Sequence, residues 1–361
     1  MSEPRRRARP RTQRGLSIVE LMVGMVIALI ISLAAAGSAR TFSASQRQGM
    51  GSGGVAVNLT TTMAAIKDDA SSAGLGFFGT RDDEDNSLFS CHKLNLSYDT
   101  TLHFDGAEFS PLQISTDDGN QQLDIVFASS IDGGADVLLS GTADATGAMT
   151  QSLLPVAAGQ LVMLIPGTAA AGSEPCLVRG VTSVTAATDD TPQTLAFANT
   201  NVYNKAAFTN TPAFNETSKD RVIALGSLNW RRYRLDGTTL LYEQPLLGTS
   251  STLLRNVMAL RAQYGVASDA NSNDLQWQEA TDALETVSGA EVNLIRAVRI
   301  GVVVRNALPQ RPGAGGACEA SPSKPRDPFD PDTEIEPDVA DWQCYHYRSA
   351  TIVVPLRNFV W

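Results

Sequence analysis

The sequence predicts an α+β protein: a long N-terminal helix, its first half embedded in a membrane, packed on a large β-rich C-terminal head. Three observations predict it. Residues 16–39, LSIVELMVGMVIALIISLAAAGSA, carry a single charge, Glu20. Apolar residues at helical spacing resume after a short polar stretch. Beyond residue 75, short apolar and β-branched runs alternate with turn residues.

As a helix, residues 16–39 would span about 36 Å, enough for the hydrocarbon core. Arg5, Arg6, Arg7, Arg9, Arg11 and Arg14 precede the run against Glu3 alone. Such a leader stays cytoplasmic and directs the rest of the chain outward. A plain signal peptide competes with this reading, and Ala34-Ala35-Ala36 imitates its cleavage site. The position of Glu20 argues against it. A carboxylate near the start of an apolar span is costly and marks function unless it has a partner. Cleavage after Gly15 would expose an ammonium on Leu16 within a turn or so of Glu20. Within one subunit the two meet poorly, but between axially staggered neighbours they pair, and low dielectric strengthens the attraction. The bland alternative is a stray glutamate near the interface.

The motif RGLSIVELM at 14–22 resembles the class III signal of type IV pilins and pseudopilins. That resemblance implies cleavage between Gly15 and Leu16 by prepilin peptidase, N-methylation of Leu16, and a filament-assembly role for Glu20. Leu16 and Ser17 stand where the family more often has Phe and Thr, without altering the chemistry.

Gly24 and Gly37 within the run suit close helix packing. The resemblance adds local melting at Gly37 during assembly, and both readings stay open. Residues 46–54 hold four glycines, at 49, 51, 53 and 54, and read as a break in the helix rather than a phosphate loop, since no strand precedes them. Val55, Leu59, Met63, Ile66 and Ala70 restore an amphipathic stripe. Asp68 and Asp69 oppose the helix dipole, so the helix should stop before Gly74 and Gly76. The expected organisation is therefore a cleaved leader over 1–15, a membrane and filament-core helix over 16–39, its continuation over 40–74, and an exported head over 75–361.

In the head, strands are expected over 123–128, 160–165, 177–184, 221–225, 228–235, 257–266, 294–305 and 346–355. Asp236-Gly237 should turn a hairpin into 239–243, and 279–287 reads as a short helix. The order and spacing of LVMLIPG at 161–167 and the segments 233–242, 254–265, 296–305 and 348–358 resemble PilW-type minor pilins. That family usually has a more polar helix segment where this chain has GMGSGG.

Cys91, Cys176, Cys318 and Cys344 allow three disulfide connectivities in an exported chain. Residues 309–341 are rich in proline, glycine and acid and read as a long surface loop. A Cys318–Cys344 bridge would staple it, leaving Cys91 with Cys176. The aspartates there, like RDDEDN at 81–86, read as solvated acidity rather than a Ca²⁺ site, for want of the calcium-loop pattern. No CxxC, HExxH or GxSxG motif occurs, so neither metal, cofactor nor catalysis is expected. His346 reads as a strand residue rather than a base. Arg231, Arg232, Arg234, Arg296 and Arg299 should pair with carboxylates, with a partner-docking surface as the alternative. Without residues 1–15 the net charge falls from −10 to −15, which disfavours nucleic acid.

The resemblance implies a minor pilin that helps initiate a type IV pilus at or near its tip. Its expected partners are prepilin peptidase, other minor and major pilins, and a tip adhesin. It would sit in the inner membrane, head in the periplasm, before joining the surface pilus. A type II secretion pseudopilin and a membrane-anchored module that never polymerises stay open as alternatives.

Overall fold

The computed structural model describes residues 18–77, 91–117, 120–129, 136–167, 174–269, 272, 274–287, 289–312 and 315–359. The chain divides into two compact units, Met1–Gly53 and Gly54–Trp361. Gly15, Leu16 and RDDEDN lie outside the described residues.

Helix α1 is assigned from Ile18 to Ser72. The break expected over 46–54 is absent. Each glycine there costs about 1 kcal/mol relative to alanine but forbids no helical angle, so helix on both sides carries the stretch through. The helix ends where expected: Gly74 and Gly76 follow at φ 77° and 83°, conformations that glycine reaches without a Cβ clash.

In the second unit, Leu59, Met63, Ile66 and Ala70 turn one face of α1 into the main core. Three antiparallel or mixed sheets supply the rest. The six-stranded sheet runs Thr101–Glu108, Lys93–Tyr98, Cys176–Gly180, Leu161–Ile165, Arg221–Gly226, Asp136–Leu138, with only the Lys93–Tyr98/Cys176–Gly180 pair parallel. A five-stranded sheet runs Thr249–Arg255, Thr239–Gln244, Leu228–Asp236, Asn120–Ala128, Leu112–Asp117. A four-stranded sheet runs Leu275–Gln278, Val257–Ala267, Ile295–Arg305, Tyr347–Pro355.

The four central strands of the six-stranded sheet are largely buried, which explains apolar runs such as Leu161–Ile165, whereas Thr101–Glu108 at its edge is exposed to half-buried. Leu161, Met163 and Ile165 enter the main core, while Val162 and Leu164 point into a second core with Leu177, Leu195, Phe197 and Phe214. That second core is covered by a small sheet of Ser183–Thr185, Gln193–Ala196 and Gly147–Thr150. The single strand expected over 177–184 is thus two strands in different sheets. The hairpin at Asp236-Gly237 is present, with Asp236 opposite Thr239 and Gly237 at φ 57°. The helix expected over 279–287 is only a 3₁₀ turn, Asp282–Leu284, followed by a single α-turn, Gly289–Val292. His346 lies just before the last strand rather than in it.

The acidic segment is docked, not merely solvated. Asp327 pairs with Arg261 at 2.8 Å and Asp338 with Arg305 at 2.9 Å. Phe329 lies 4.4 Å from the Arg299 guanidinium, and a Cβ on Gly301 would stand 2.5 Å from Pro328. The glycine therefore lets the segment lie directly on the sheet. Disulfides join Cys318 to Cys344 and Cys91 to Cys176.

Candidate assembly site

The segment Ile18–Ala36 is apolar enough and long enough to cross a membrane, and none of it is buried. Ile18 is 81% exposed and Leu33 73%. A dozen large apolar side chains in this state are unstable in water. The segment is therefore a surface that needs a nonaqueous or protein environment.

Glu20 sits in the first turn of α1 and is exposed. Proximity to the helix N-terminus stabilises a carboxylate by about 0.3–1 kcal/mol. An ionisable group in the middle of a membrane span costs about 2.5–3.5 kcal/mol. A carboxylate carried to the middle of a lipid span would therefore need more than the dipole to offset its cost.

Beyond the close packing expected at Gly24, the stripe of small residues along the helix carried no expectation from the sequence. Gly24, Ala28, Ser32 and Ala36 recur every four residues, and Ala28, Ser32 and Ala36 line a shallow groove with Met25, Leu29 and Leu33. A Cβ on Gly24 would meet nothing within 4 Å, so its lack of a side chain serves no contact within the chain. The four-residue spacing of small side chains is the signal that could have found this stripe.

The C-terminal end of α1 is fastened to the head by polar contacts as well as by its apolar face. Tyr233 donates its hydroxyl to Asp69 Oδ2 at 2.7 Å. Burial holds the Asp69 carboxyl above its ordinary value, opposed by that hydrogen bond and by Arg231. Asn358 Nδ2 donates to the carbonyls of Ala73 at 3.0 Å and Ser72 at 3.4 Å, and Gly74 N–H donates to Val126 O at 2.9 Å. The Asn358 contacts satisfy carbonyls that the helix end leaves unpaired.

The strand arginines serve the fold. Arg232 pairs with Asp124 at 2.8 Å and Arg234 with Glu243 at 2.9 Å. Arg296 donates to Phe359 O at 2.9 Å. Arg299 stacks between Trp277 and Phe329, and Arg231 lies over Tyr242. Among the described residues, no group of three or more His, Cys, Asp or Glu is placed to hold a metal.

Comparison with known proteins agrees with this geometry. Residues 10–36 match the prokaryotic N-terminal methylation motif. This match takes in the apolar segment Ile18–Ala36. Residues 226–358 match the family described as type IV pilus-assembly protein W. A type IV-like pilin from Thermus thermophilus is similar at 9% identity, covering 85% of this chain and 97% of that one, with a TM-score of 0.35. No curated protein matches the chain.

Proposed function

We propose that the chain is a minor pilin that enters a type IV pilus through α1 and helps initiate the filament at or near its tip. Prepilin peptidase cuts between Gly15 and Leu16, Leu16 is N-methylated, and the new ammonium neutralises Glu20 on a neighbouring subunit. Before assembly the apolar helix holds the chain in the inner membrane with its head in the periplasm. In the filament it packs against other minor and major pilins, and the head meets its tip partners, an adhesin among them.

The observation that carries this reading is the wholly exposed apolar segment Ile18–Ala36 with one carboxylate in its first turn. It lies within the part of the chain that matches the methylation motif. The proposed domain roles rest on it: leader over 1–15, filament core over 16–39, its extension over 40–74, and head over 75–361.

The test combines mass spectrometry of the mature N-terminus with filament incorporation. Wild type should begin at methylated Leu16. Gly15→Ala should keep the leader. Glu20→Ala should be processed normally yet appear at least tenfold less in sheared filaments, matching about 1.4 kcal/mol of lost pairing. Normal incorporation of the Glu20 variant would refute the pairing. A chain that keeps Met1, or is cut near Ala36, would refute filament membership. Loss of protein secretion without loss of twitching on deletion would assign it to a type II secretion machine instead.

A further inference from the structure

The head holds a cavity of about 570 Å³ whose lining includes Arg179. This arginine projects from strand Cys176–Gly180 and is 2% exposed. Buried guanidinium groups ordinarily sit against a carboxylate. Here Nη1 donates to the Tyr203 carbonyl at 3.1 Å, the Phe208 ring lies 5.0 Å from Cζ, and Nε has no acceptor. Among the described residues no carboxylate pairs with it. Burial, with no compensating charge, pushes its pKa down to about 10. Lys205, also lining the cavity, is already paired with Asp99 at 2.5 Å.

The geometry points to a ligand: we propose that this cavity binds a carboxylate-bearing saccharide, its carboxylate supplying the counter-charge that Arg179 lacks. With Nη1 occupied, the free side of the guanidinium is the edge that accepts a planar carboxylate through two parallel hydrogen bonds. Nε is shut off from solvent, so binding through that edge requires the wall that covers it to move. The remaining wall suits a sugar, which has apolar C–H faces and many hydroxyls. Ala196, Ala207 and Phe208 offer apolar contact, and Asn199 and Thr211 offer hydrogen bonding.

Two observations speak against an extended peptide and against polyanions as the occupant. Both strands that line the cavity are interior to their sheets: Cys176–Gly180 lies between Lys93–Tyr98 and Leu161–Ile165, and Gln193–Ala196 between Ser183–Thr185 and Gly147–Thr150. An extended peptide therefore finds no strand edge there to pair with. The chain's net charge, −15 without its leader, repels polyanions but little affects a single carboxylate. This inference does not rest on filament membership, since a chain that never polymerised would keep the cavity.

The test is calorimetric titration of the full chain in detergent micelles with D-glucuronate. Glucuronate methyl ester, inorganic phosphate and an alanine tetrapeptide with a free C-terminus serve as comparisons. Glucuronate should bind at least tenfold more tightly than its ester. Arg179→Gln should abolish that difference. Because Arg179 also holds the Tyr203 carbonyl, Ala207→Glu is the second variant: it keeps the arginine and places a competing carboxylate on the exposed lining, and it too should abolish the difference. Equal binding of acid and ester, glucuronate binding that survives both variants, or binding of phosphate or peptide but not glucuronate would each overturn the proposal, as would no binding at all.

Discussion

Removing the two disulfides separately gives a prediction whose order and size come from the chain itself. Cys318 and Cys344 are 26 residues apart and Cys91 and Cys176 are 85 apart. Constraint of the unfolded chain then stabilises by about 3.5 kcal/mol for the shorter loop and about 4.6 kcal/mol for the longer. Native-state effects widen the gap. Cys91 and Cys176 are fully buried in the main core, so changing both to alanine also removes packed sulfur. Cys318 and Cys344 are only half-buried, and their loop stays docked through Arg261–Asp327 and Arg305–Asp338. Urea unfolding of the full chain in micelles should therefore rank wild type above C318A/C344A above C91A/C176A, with at least 1 kcal/mol between the two variants. A loss under 1 kcal/mol for either pair, or the reverse order, would refute the reasoning.

Two further outcomes test how the head holds α1. The Asp69 carboxyl has its native pKa raised above 3.8, chiefly by burial. Protonation is thus favoured in the folded state, and the stability tied to it is complete below that value and lost as pH rises through the raised one. Asp69→Asn should therefore gain stability relative to wild type between pH 3.5 and 7, measured by unfolding at both ends; a relative loss would contradict the sign. Gly76→Ala should cost more than 2 kcal/mol, because a Cβ there stands 2.7 Å from Ala128 Cβ at φ 83°. Gly237→Ala, at φ 57° with nothing within 4 Å, should cost only the backbone term of about 1–2 kcal/mol; equal costs in parallel melts would discount the clash.

Much of the architecture was legible because the signals are local. The run at 16–39, the stripe through Leu59, Met63, Ile66 and Ala70, and the Asp-Gly turn each depend on neighbours within a few residues. Long strands such as Val257–Ala267 and Ile295–Arg305 announced themselves through composition. Strand Lys93–Tyr98 did not, because it buries Asn95 and Ser97. Their polarity is matched only by distant partners: Asn95 bonds the Asn210 carbonyl and the Gly106 amide, and Ser97 the Tyr203 carbonyl. The break expected over 46–54 failed for a different reason. Glycine weakens a helix without ending it, and no proline there removes a hydrogen bond.

The sequence by itself determined the apolar span and its one carboxylate: basic residues, a glycine, and then an apolar run holding Glu20 form a chemical pattern complete within 36 residues. Helical period and turn chemistry, which are also short-range, added the spine and the hairpin. Only the tertiary structure decided what each charge in the head is for. It laid the acidic loop onto the sheet through Arg261 and Arg305 and sent Arg232 and Arg234 to carboxylates. Arg179 it buried beside a cavity without a counter-charge. A side chain's electrostatic role depends on its burial and on partners that here lie 9 to 108 residues away, and folding alone sets both.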